Sequence, residues 1–82
     1  MKTMTQITLD IQKRVNRQDT LRLLARAGEV SRASDGRFAP AAVLALMQHR
    51  LEKGFTADKI AAMTNGKLIQ QTRKYLERES GR

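Results

Sequence analysis

The chain has no cysteine, no tryptophan, a single histidine and a single proline, and its aromatic residues are one tyrosine and two phenylalanines. Without cysteine, and with His49 alone, the usual zinc frameworks and any disulfide are excluded. An 82-residue chain of this kind buries only about 60% of its unfolded surface. Its core is therefore small, and a homodimer is the natural remedy. Nucleophilic catalysis lacks its parts, because no Cys or Ser/His/Asp set can be assembled around His49. The five glycines stand singly at the ends of elements, so no phosphate-cradling loop is present. The eight acids form no spaced carboxylate pair. The expectation is a protein that is not an enzyme and needs neither cofactor nor metal. Phe38, Phe55 and Tyr75 read as anchors or core borders, which argues against a stacking platform for single-stranded RNA. MKTMTQITLD has no apolar h-region, and no run approaches the length of a membrane span. A cytoplasmic chain without signal peptide or membrane segment is expected.

Positive charge is what the chain has in abundance. Sixteen Lys and Arg face eight Asp and Glu, a formal charge of +8, with a sequence pI near 10.9. Such a field attracts polyanions. Between residues 13 and 37 lie Lys13, Arg14, Arg17, Arg22, Arg26, Arg32 and Arg37, against Asp19, Glu29 and Asp35. Arginine makes bidentate contacts to phosphate and to guanine edges, where lysine acts more as a point charge.

Taken in order, residues 6–14 fit a helix on the Ile7/Ile11 spacing, or an extended arm on the Ile7/Leu9/Ile11 alternation. Residues 17–27 predict a helix with Asn16 as N-cap, Asp19 in its first turn and Gly28 as its stop. Leu21 and Leu24 share one face of it with Thr20 and Ala27. Arg22 and Arg26 lie on another, a row that Arg14 and Gln18 would extend. Residues 29–38, EVSRASDGRF, carry a tight-turn signal at Asp35-Gly36. They read either as a short β-hairpin wing over 30–38, anchored by Val30 and Phe38, or as a plain loop between helices. Pro40 suits a first turn, and residues 39–53 predict a helix with Val43, Leu44, Met47 and Leu51 as its apolar stripe. Gly54 ends it. Thr56 caps the next helix, with Phe55 placed to staple onto Ile60. Asn65-Gly66 reads as a turn, and residues 67–79 as the last helix. Its inner face holds Leu68, Ile69, Thr72 and Leu76, and its outer face Lys67, Gln70, Gln71, Lys74 and Arg78. Residues 1–5 and 80–82 are expected to be flexible.

The series VNRQDTLRLLARAGEV, SRASDGRF, APAAVLALM resembles winged helix-turn-helix proteins of the excisionase, MerR and phage small-terminase type, over about half the chain. That resemblance implies residues 16–27 inserted in a major groove, with Arg32 and Arg37 on a wing near the phosphates or the minor groove. The chain departs from the pattern at Asp10, where a small residue is usual, and at Arg14, where a glycine is. FTADKIAAMTNGKLIQQTRKYLERE in turn looks like a generic helix-turn-helix in which Ile60-Ala61 packs on the helix that follows. Its partner positions, Thr72 and Leu76, arrive one residue late, which leaves either a lengthened turn or a helical hairpin. In that reading Gln70 or Gln71 would bond adenine edges while Lys67, Lys74 and Arg78 anchor the backbone.

The whole chain reads as one nucleic-acid-binding domain over residues 1–82, mostly α, of four to five helices with a helix-turn-helix and room for the hairpin wing. The expected function is non-enzymatic binding of double-stranded DNA, as a small transcriptional regulator or an accessory or architectural factor of a phage or plasmid. The expected contacts are Arg14, Arg17, Gln18, Arg22, Arg26, Arg32, Arg37, Lys67, Gln70, Gln71, Lys74 and Arg78. Helix 17–27 and helix 67–79 both remain open as the reading element. The alternatives are a small basic adaptor or inhibitor that docks on an acidic protein partner, and an RNA-binding protein.

Overall fold

A computed structural model describes residues 2–81; Met1 and Arg82, at the ends of the segments expected to be flexible, lie outside the described residues. Five helices follow one another with no strand among the described residues: α1 (Met4–Gln12), α2 (Arg17–Ala33), α3 (Pro40–Glu52), α4 (Ala57–Ala62) and α5 (Asn65–Ser80).

The N-terminal segment is a helix and not an extended arm. Thr3 forms a capping box: its hydroxyl accepts from the Gln6 amide, and the Gln6 side chain accepts from the Thr3 amide. Ile7 and Ile11, one turn apart, then bury completely on one face. Asn16 caps α2 as its sequence position predicts, its Oδ1 accepting from the Asp19 amide at 2.7 Å.

Helix α2 does not stop at Gly28. It runs on to Ala33, and Val30 is buried on the same face as Thr20, Leu23 and Ala27. Glycine inside a helix costs about 0.5–1 kcal/mol, while burying a valine returns about 1.5–3 kcal/mol. Packing wins, so the helix gains one more turn. The expected wing over residues 30–38 is therefore absent. Its first four residues are helical, and the rest form a tight stop in which Asp35 (φ 55°) and Gly36 (φ 78°) are left-handed. The Gly36 amide donates back to the Ser31 carbonyl, and the Ser31 hydroxyl donates to the carbonyl of Phe38. The Asp-Gly turn is real; it ends a helix instead of joining two strands.

Helix α3 is the centre of the molecule. Pro40 occupies its first turn, and residues 42–48 are buried without interruption, followed by Leu51. A helix apolar on all sides has neighbours on all sides, and α3 packs against α1, α2, α4 and α5. Its two inward polar groups are satisfied: Gln48 donates to Asp10 of α1 at 3.1 Å, and Arg50 donates to Gln71 of α5 at 3.1 Å. Asp10 also takes the Lys2 ammonium at 2.7 Å, a bond that holds its carboxyl below the usual range.

Thr56 caps α4 by accepting from the Lys59 amide, and Thr64 caps α5 by accepting from the Lys67 amide. Asn65 and Gly66 thus open α5 and are not a turn. Phe55 stays 44% exposed, with the Arg50 guanidinium 5.4 Å from its ring centre. The link between α4 and α5 is Met63 and Thr64, both extended. Both helices are held through α2 and α3. No described helix is long and apolar enough to cross a membrane.

Candidate nucleic-acid interface

The Arg row of α2 divides into two populations. Arg22 and Arg26 turn toward α4 and bind within the protein. The Arg22 guanidinium bonds Asp58 of α4 at 2.7 Å and Asp19 of its own helix at 3.1 Å. The Asp58 bond, then the Asp19 bond, raise its pKa above the ordinary arginine value. Arg26 goes further. Its Nε donates to the Ala61 carbonyl at 3.1 Å and one terminal nitrogen to the Met63 carbonyl at 2.6 Å. The other donates to Asn65 Oδ1 at 2.7 Å and to Glu29 at 2.8 Å. Only 17% of its side chain meets solvent.

Arg14, Arg17, Gln18 and Arg32 are exposed and make no ion pair with a described residue. Arg37 is exposed too and donates to the Ser34 carbonyl at 3.3 Å, folding over the helix stop. Leu21 stands 55% exposed on the same outward side of α2 as Gln18.

On α5 the inner and outer faces separate cleanly. Leu68 and Thr72 are buried, and the Thr72 hydroxyl is satisfied by the Leu68 carbonyl at 2.7 Å. Lys67, Gln70, Lys74 and Arg78 are exposed and carry neither an ion pair nor a side-chain hydrogen bond to a described residue. At spacings of three and four they form one outward ridge. Gln71 is not part of it. It is half-buried, and its amide oxygen is engaged by Arg50. Arg73 flanks the ridge in a loose 3.7 Å pair with Glu77.

Of the twelve residues expected at the interface, Arg22, Arg26 and Gln71 thus bind across to other helices of the protein, and Arg50, not among the twelve, is the partner of Gln71. The sign for Arg26 was local. Once α2 is extended to Val30, Arg26 lies three residues after Leu23 and four before Val30, beside the buried stripe. For Arg50 and Gln71, 21 residues apart, no local sign exists. No group of His, Asp and Glu among the described residues is arranged to hold a metal ion.

Comparison of the chain with protein-family models, with curated proteins and with solved structures gives no match.

Proposed function

We propose that this protein binds double-stranded DNA without catalysis, as a small regulator or accessory factor, and that α5 is the element presented to the duplex. The observation that carries the reading is the ridge Lys67, Gln70, Lys74 and Arg78, exposed and without an ion pair or side-chain hydrogen bond to a described residue, on a helix whose opposite face is locked in the core. Lysine and arginine at this spacing neutralise backbone phosphates, and Gln70 between them can bond an adenine edge bidentately. In this reading α5, which follows α4 through the extended Met63 and Thr64, is the helix offered to the major groove. Arg14, Arg17 and Arg32 add to the field that captures the polyanion. Arg22 and Arg26 are assigned to the fold, and the wing has no part in the reading.

A second reading rests on Leu21. An exposed leucine with Arg17 and Gln18 on the same side of α2 offers an apolar point with a basic rim to an acidic amphipathic segment of a protein partner.

Fluorescence anisotropy against duplex DNA, duplex RNA and single-stranded DNA, from about 50 to 200 mM salt, separates these readings. Duplex DNA should bind best, with a steep log–log salt dependence. Lys67→Ala together with Lys74→Ala should flatten that slope by about 2, since each neutralised phosphate contributes about 0.9. Gln70→Ala should reduce discrimination between sequences and leave the slope alone. Weak binding to all three polyanions, gone at the upper salt, would reject the proposal in favour of a protein partner.

A further inference from the structure

The α4–α5 connection has little to hold it in place by itself. Met63 and Thr64 are extended, α4 is a helix of six residues, and the Ala61 and Met63 carbonyls lie past the point where helical amides could reach them. Both carbonyls accept instead from Arg26, on a helix more than thirty residues earlier in the chain. The same guanidinium takes Asn65 Oδ1 at the first residue of α5, and Glu29 braces it from the next turn of α2. One planar group therefore fixes the end of α4, the link and the start of α5 against a single frame. A guanidinium can do this because its donors diverge in one rigid plane; an ammonium offers the charge without the fork.

We infer that Arg26 is a positioning residue. It sets the direction in which α5 leaves the α4 link, and hence the pose in which Lys67, Gln70 and Lys74 meet a duplex. The inference rests on the reading of α5 given above, but its geometric half can be examined alone.

Arg26→Lys is the decisive variant, because it keeps the formal charge and removes the fork. The chain contains no cysteine, so Gln18→Cys and Gln70→Cys introduce unique positions for nitroxide labels on α2 and α5. With Arg26 present the label-to-label distance distribution should be narrow; Arg26→Lys should shift and broaden it. Ile11→Ala, a core change on α1, serves as the control for lost stability, since α1 packs on α2 and α3 and not on the link. It should leave the distribution as it was.

In unlabelled protein, compared where every variant is fully folded, Arg26→Lys should bind a mixed-sequence duplex about tenfold more weakly, the cost of one lost base-edge contact. Ile11→Ala should bind as the parent does. If Arg26→Lys binds like the parent, Arg26 acts as a charge and the inference fails. It fails as well if Ile11→Ala loses as much, or if Arg26→Lys leaves the distance distribution unchanged. If the parent itself does not bind duplex DNA, the reading of α5 falls, and the label distances alone decide whether Arg26 sets its direction.

Discussion

Leu44→Ala is expected to remove about 3 kcal/mol of stability. Leu44 is fully buried in the middle of α3, the helix with neighbours on every side. Deleting its branched end forfeits the transfer free energy of the lost carbons and leaves a cavity that four surrounding helices cannot all close. A chain of this size has a total stability of only about 4–12 kcal/mol, so the loss is a large fraction of the whole. Urea denaturation followed by far-ultraviolet circular dichroism should show a much lower midpoint with the slope unchanged. The exposed Leu21, changed to alanine, should stay within about 0.5 kcal/mol of the parent. A Leu44→Ala change as mild as that one would mean that α3 is not the packing centre described above.

Arg26→Ala should be the most damaging change of a charged residue, costing about 2–3 kcal/mol. The loss is not that of a surface ion pair. Two backbone carbonyls and the Asn65 side chain would lose a charged donor at a place where only 17% of the arginine meets water. Arg22→Ala, four residues earlier, should change stability little. Its two ion pairs are solvent-exposed, with Asp58 82% accessible, and such pairs are largely screened by salt. The two arginines look equivalent in the sequence, so comparing their unfolding midpoints at low and high salt is informative. Equal midpoints for the two variants would remove the distinction drawn here between a tether and a surface pair.

Local chemistry made much of this fold legible. The caps at Asn16 and Thr56 behave as their residue types predict, and α3 follows from Pro40 and an apolar stripe that closes on itself. The failures came where two local signals competed. Gly28 reads as a helix stop, and the true stop, Asp35-Gly36, reads as a hairpin turn; only the burial of Val30 decides between them, and that burial is a tertiary fact. Asn65-Gly66 misled in the same way. Thr64, one residue earlier, is a helix cap, and the two turn-forming residues became the first turn of α5. In the candidate interface, the outer ridge of α5 was legible from helical periodicity alone. The engagement of Gln71 by Arg50 was not, because it depends on which helices become neighbours, and the inward lean of Arg26 is legible only once α2 runs on to Val30.

The uninterrupted burial of α3 also governs how the molecule breathes. Backbone amides of residues 44–47 can exchange their hydrogens with solvent only if the helices around them let go together, so their protection measures the opening of the whole molecule. Six-residue α4 and the link after it can open alone, and their amides should report a much smaller free energy. The link that Arg26 tethers should thus loosen before the central rod of α3 does.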